Sequence, residues 1–180
     1  LMLLEDPWSY YAGCTPEANH ELMLREYIKK YKISDKTLET FNEALAYIAV
    51  KNHHYATKNE YAQFQTEVSV DKVLKERTKA HKPLGLYDFA PVSDGAAALI
   101  LTNSEIAITS RSIPVYIESS SSATDYVTFP SRDYRTGFTA ATIAMKEALK
   151  TANLHVSDIQ IAELYDQSTL LEMIALEDLG

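Results

Sequence analysis

Three places along this 180-residue chain hold side chains able to do chemistry: the single cysteine Cys14, the adjacent pair His53-His54, and the run Tyr165-Asp166-Gln167-Ser168-Thr169. A cysteine thiolate can act as a nucleophile, but it needs a base and a turn that presents it. Cys14 sits among Tyr11, Ala12, Gly13, Thr15 and Pro16, away from any strand-to-helix elbow, and reads as a small apolar residue. Adjacent histidines on a regular element point in different directions, and His53-His54 has no companion at zinc-ligand spacing. No metal site is expected, and the pair reads as part of a polar loop. Tyr165 is more informative. A phenol can donate a hydrogen bond to a developing oxyanion, although its ordinary pKa of about 10 makes it a poor proton acceptor at neutral pH. It follows a run that reads as a buried strand and precedes a helix start, where α/β sheets place their ligands. The bland alternative is packing at a strand end, which is common in a chain with 12 tyrosines.

The elements that would position that turn are read from periodicity. Residues 17–32 carry Leu24, Ile28 and Tyr31 on one helical face. Ser34 or Asp35 can cap a second helix, whose stripe Leu38, Phe41, Leu45 and Ile48 runs to about Val50. Residues 52–61 show no clear period, and a short helix is expected over 70–77, starting at Ser69 or Asp71. The clearest helix is 136–152, with Asn153 as a left-handed cap, and a last helix spans 169–179. Between them, residues 96–101 are apolar at every position and read as a strand covered on both faces. Residues 114–118 and 159–164 are further strand candidates, and the serine run 119–122 reads as a loop. The order strand, helix, strand, helix in the second half predicts an α/β layered sheet.

The composition narrows the partners. With 17 Lys plus Arg against 25 Asp plus Glu, the net charge of −8 leaves no electrostatic footprint for nucleic acid. Residues 96–101 form the longest apolar run, far short of the roughly 20 residues a membrane-spanning helix needs. Leu1 to Leu4 have no basic residues before them, so no signal peptide is expected. One cysteine excludes an internal disulfide and fits a reducing, cytoplasmic setting. Five glycines are too scattered to form a phosphate-cradling loop.

Two stretches, with a third in support, resemble the thiolase superfamily, specifically its sterol-carrier-linked and archaeal branch. The first is Pro83-Leu84-Gly85-Leu86-Tyr87-Asp88 with Pro91-Val92-Ser93-Asp94-Gly95 and the alanine-rich run behind it. The second is 158–164, then Tyr165 to Thr169, then Ala175-Leu176-Glu177-Asp178-Leu179-Gly180. The third is Lys51-Asn52-His53 with Asn59 and Ala62-Gln63. They occur in the family's order and at about its spacing.

The resemblance implies a partial thiolase-like layered fold. Residues 1–16 would be an irregular opening segment, 17–82 a mostly helical loop domain, 84–104 the closing strand of the N-terminal half, and 113–180 the first half of the C-terminal domain. In that branch the turn reads histidine-aspartate-x-phenylalanine-threonine, and the histidine helps form an oxyanion hole. Here Tyr165 replaces the histidine and Ser168 the phenylalanine, while Asp166 and Thr169 match. The resemblance therefore implies catalytic roles for Tyr165 and Asp166, and substrate contacts for Ser168, Thr169, Asn52 and His53. It implies an acyl-CoA substrate, with coenzyme A entering as part of the substrate and no covalently bound cofactor. It also implies a homodimer and, in some relatives, a small OB-fold partner.

Three activities are open on these residues. They are acyl-CoA thiolysis or condensation of the acetyl-CoA acetyltransferase type, aldolase-type cleavage of a β-hydroxyacyl-CoA side chain with Tyr165 as acid–base group, and non-catalytic acyl-CoA binding or scaffolding. Arg25, Lys29, Lys30, Lys32, Lys58 and Arg77 are cations that could meet coenzyme A phosphates, although scattered surface charge explains them equally well. In the family the nucleophilic cysteine lies upstream of the matched segment, and the glycine-histidine and cysteine-glycine motifs lie downstream. The 180-residue polypeptide alone is thus expected to be inactive, and measurable thiolysis of acetoacetyl-CoA by it would overturn that.

Overall fold

The helix over residues 169–179 packs against three of the other helices. The structure, a computed structural model, describes residues 7–110 and 113–180. In chain order the helices are α1 (Pro7–Tyr11), α2 (Pro16–Lys30), α3 (Asp35–Ala56), α4 (Val70–Ala80), α5 (Ser104–Thr109), α6 (Thr139–Ala152) and α7 (Thr169–Leu179). Helix α7 packs against α2, α3 and α6, and α3 packs against α4. Leu1 to Leu4, expected not to form a signal peptide, lie outside the described residues.

Local chemistry sets the helix starts. Thr15 accepts from the Ala18 N–H at 3.3 Å, with Pro16 in the first turn of α2, where its missing N–H costs nothing. At the head of α3 the Ser34 N–H donates to Thr37 Oγ1 at 3.1 Å. Ser69 caps α4 by accepting from the Lys72 N–H at 3.3 Å. Asn153 ends α6 in the left-handed region at φ 55°, as its type and position predict. Helix α4 runs to Ala80, three residues past its expected end, and two further readings needed extension. Helix α3 runs on through Asn52 and His53 to Ala56, and Pro7–Tyr11 forms one helical turn where an irregular segment was expected.

The main core joins Met23, Leu24 and Tyr27 of α2, Leu45 of α3, Leu84, and Leu170, Leu171 and Ile174 of α7. The stripe Leu24, Ile28, Phe41, Leu45 and Ile48 expected from periodicity contributes to it. Ala46, Ala49, Val68 and Val73 make a second cluster between α3 and α4. Each large apolar side chain taken fully from water stabilises by about 1.5–3 kcal/mol before entropy is charged against it.

The layered α/β sheet expected from the sequence is not formed. Among the described residues the β structure is one isolated antiparallel bridge, Phe89 with Ser168, and the architecture is helical. Residues 96–101, 114–118 and 159–164 have no ladder and lie largely at the surface, with Ile100 94% exposed. The physical reason is pairing. Composition makes a run suitable for a buried strand, but a strand forms only where a neighbour supplies donors and acceptors along its length. Among the described residues these runs make no ladder with a neighbour.

One buried ion pair ties the helices to the segment behind α4. Arg77 and Asp88, 5% and 2% exposed, meet through two parallel bonds: Nε to Oδ2 at 2.8 Å and Nη2 to Oδ1 at 2.6 Å. The remaining Arg77 amine, Nη1, donates to the Asn42 carbonyl at 2.9 Å, which anchors α4 to α3. Asp88 also accepts from the Gly85 N–H at 2.7 Å and from Thr169 Oγ1 at 2.9 Å. Gly85 fits because a Cβ there would press to 3.2 Å from the Arg77 backbone nitrogen and Cγ.

Removing one partner strands the other charge in the interior. Arg77→Leu is expected to cost about 3–5 kcal/mol in urea unfolding. A loss under about 1 kcal/mol would show that the pair does not hold the helices together.

Candidate functional site

The turn before α7 is held from beneath and open above. Ser168, buried, caps α7 by accepting from the Leu171 N–H at 3.4 Å, and its backbone forms the bridge to Phe89. The Ala90 N–H donates to the Gln167 carbonyl at 3.0 Å, extending that attachment by one residue. Thr169 is buried with its hydroxyl on Asp88. At the top of the turn Tyr165 differs in kind: it is 79% exposed. A phenol presented on a backbone so tied is accessible to a ligand.

Asp166 sits between these two situations, half-buried, and faces α3. Asn52 Nδ2 donates to Asp166 Oδ2 at 3.0 Å and to Glu172 Oε2 at 2.8 Å. Lys51 Nζ pairs with the other Glu172 oxygen, Oε1. Glu172 is 4% exposed, so a carboxylate from the first turn of α7 is wrapped by two consecutive residues of α3. Its position near the helix N-terminus adds a favourable interaction with the helix dipole.

These surroundings set the Asp166 proton affinity. Burial is the main cause that pushes its pKa above the ordinary 3.8, and the Glu172 charge adds to it, while a backbone hydrogen bond and Lys51 oppose the rise. The arrangement therefore holds a carboxyl of raised pKa beside an exposed phenol, both on one turn.

The structure brings Tyr165, Asp166 and Asn52 to one neighbourhood. His53, next along α3, has its Nδ1 at 2.9 Å from the Thr66 carbonyl and its ring edge-on to Tyr87, with centroids 5.7 Å apart. His54 pairs with Glu67 at the surface, and among the described residues no group of side chains is arranged to hold a metal ion. Cys14 lies before α2 with its Sγ 3.4 Å from Asn19 Oδ1. Arg77, counted among cations able to meet a phosphate, is spent on Asp88 in the interior. A cavity of about 350 Å³ between α2, α3 and α4 is lined by Leu24, Ile28, Leu38, Asn42 and Leu74, and includes no residue of the 165–169 turn. Sequence reasoning did not find Glu172 or Lys51 as part of the site. For Lys51 the signal was its place in the Lys51-Asn52-His53 stretch, and for Glu172 it was a charged residue in the otherwise apolar opening of α7.

The raised Asp166 pKa has a definite sign in stability. The folded state holds the proton more tightly than the unfolded one, so the contribution is complete below pH 3.8 and is lost as pH rises through the higher folded value. Asp166→Asn is therefore expected to be more stable than the parent protein at pH 7, with the difference closing below pH 3.8. Thermal unfolding across that range reads it, and a variant less stable at pH 7 would refute the assignment.

Residues 121–180, which include the whole turn, match the family described as thiolase C-terminal domain-like. The chain is 34% identical over 178 residues to the acetyl-CoA acetyltransferase of Methanocaldococcus jannaschii, covering 98% of this chain and 43% of that protein. It is 33% identical over 161 residues to sterol carrier protein 2 of Gallus gallus, covering 87% of this chain and 28% of that one. Among solved structures, the Ltp2-ChsH2(DUF35) aldolase superposes with a TM-score of 0.80 at 27% identity, over 92% of this chain and 43% of that chain. The chain thus spans less than half the length of these relatives. Among the described residues no helix is long and apolar enough to cross a membrane. The motifs at 83–101 and 158–180 and these matches agree: the chain belongs to the thiolase superfamily, in the company of its archaeal and sterol-carrier-linked members.

Proposed function

We propose that this chain is part of a thiolase-like protein that forms or cleaves a carbon–carbon bond in an acyl-CoA thioester, with Tyr165 as the group that meets the reacting oxygen. The observation that carries the reading is the exposed Tyr165 phenol on a turn whose backbone and neighbouring carboxyl are both held. A phenol can donate a hydrogen bond to a thioester or carbonyl oxygen on which charge develops. Asp166 orients the turn. Asn52 on α3 lies beside Asp166, Ser168 and Thr169 hold the turn from beneath, and His53 is assigned to substrate contact by the family resemblance alone. Coenzyme A enters as part of the substrate. The whole protein would work as a cytoplasmic homodimer, and a small partner protein is supported by the solved neighbour, whose name couples Ltp2 with ChsH2(DUF35).

A second reading rests on the same tyrosine. Cleaving a β-hydroxyacyl-CoA by a retro-aldol step requires removal of the hydroxyl proton, then breakage of the Cα–Cβ bond with the electron pair held by the thioester enolate. A tyrosine hydroxyl can take part in that proton transfer, and the neighbour with TM-score 0.80 is named an aldolase. A non-catalytic acyl-CoA-binding role is the third reading.

The full-length protein tests all three when offered a β-ketoacyl-CoA with free coenzyme A, and separately a β-hydroxyacyl-CoA. Tyr165→Phe is expected to lower turnover by at least about 100-fold with little change in KM. Activity within about twofold of the parent would remove Tyr165 from the chemistry. Binding of both thioesters without turnover would favour the non-catalytic role.

A further inference from the structure

We propose that Glu172 and Lys51 are positioning residues for the reactive turn: together they fix the Asn52 amide, and that amide in turn fixes Asp166 beside Tyr165. The proposal rests on the reading that the turn at 165–169 is where chemistry occurs. Its geometric basis is the donor count at Asn52. A side-chain amide has two N–H bonds on one nitrogen, and here that nitrogen reaches Asp166 Oδ2 at 3.0 Å and Glu172 Oε2 at 2.8 Å. Rotating the amide by half a turn would point its carbonyl oxygen at two carboxylates, so one orientation is strongly preferred. Glu172 is itself held, because its other oxygen is taken by Lys51 Nζ, from the residue preceding Asn52.

The unusual element is Glu172. A buried carboxylate on a helix whose neighbours Leu170, Leu171 and Ile174 all lie in the core is a costly choice for stability alone. Its two oxygens are spent entirely on two adjacent residues of α3, which fixes the end of that helix against the first turn of α7. The consequence is transmitted through one amide to Asp166, three residues before the start of α7. A displacement of α3 would release Asp166, and with it the restraint on the backbone that carries Tyr165. The charged groups acting on Asp166 are Glu172 from α7, Lys51 from α3 and Glu163 from its own segment.

The test uses full-length protein labelled with ¹³C at the aspartate carboxyl and on the tyrosine rings, followed by NMR as a function of pH. Glu172→Gln removes a negative neighbour and is expected to move the Asp166 titration to lower pH. Lys51→Met removes a positive one and is expected to move it to higher pH, as is Asn52→Ala, which deletes a donor to the charged form. The Tyr165 ring signals are expected to shift in all three. Opposite directions from Glu172→Gln and Lys51→Met are a result that simple loosening of the fold does not produce. Lys51 is half exposed, so Lys51→Met and Asn52→Ala carry the test if Glu172→Gln does not fold. An Asp166 titration and Tyr165 signals unchanged in the folded variants would overturn the proposal. If those shifts occur while Tyr165→Phe leaves turnover intact, the positioning network stands and the catalytic reading of the turn fails instead.

Discussion

The Arg77–Asp88 pair is the constraint from which the rest of this structure follows. Both charges are out of water, and a buried pair of this kind is tolerated only when every polar atom finds a partner. Here the partners are distributed: the Asn42 carbonyl in α3, the Gly85 N–H behind α4 and the Thr169 hydroxyl at the start of α7. Satisfying one ion pair therefore fixes three parts of the chain relative to one another. Hydrophobic packing between α2, α3 and α7 supplies most of the driving force, but apolar contact is non-directional. The guanidinium and carboxylate add the direction.

Helix α7 converts that fixation into a site. Its first turn carries a capping serine, a threonine on Asp88, two core leucines and a glutamate on α3, so five consecutive residues look in almost every direction and nearly all find protein. Further along, the Tyr27 hydroxyl donates to Glu177 Oε1 at 2.6 Å; burial, followed by that carboxylate, pushes the Tyr27 phenol well above its ordinary range. Two tyrosines thus have contrasting lots. Tyr27 is locked as a neutral donor inside the core, while Tyr165 stands in solvent four residues before the start of α7.

Much of the helical framework was legible in the sequence because amphipathic periodicity and capping chemistry are local. Ser69 before α4, Asn153 after α6 and the Leu38 to Ile48 stripe each declare themselves within a few residues. Strands were misread for the converse reason. Residues 96–101 have the composition of a doubly covered strand, but whether donors and acceptors lie alongside is a property of distant chain, not of the run itself. The site divides the same way. The turn from Tyr165 to Thr169 was visible as a motif, whereas Lys51 and Glu172 are 121 residues apart and nothing local pairs them. Arg77 was misjudged on the same grounds: among scattered cations it is indistinguishable until Asp88 is brought against it.

The separation between α4 and α7 has a consequence for biosynthesis. Helices α2, α3 and α4 leave the ribosome roughly ninety residues ahead of α7, which at ~5–20 residues per second is a delay of about 4 to 18 s. During that interval Leu24, Leu45 and Leu84 lack the leucines that cover them, and Arg77 and Asp88 lack the threonine that completes their shell. The nascent chain therefore exposes its future core for longer than most elementary folding events take. In this window, before α7 emerges, the polypeptide is open to capture by chaperones and to misassembly with its own copies.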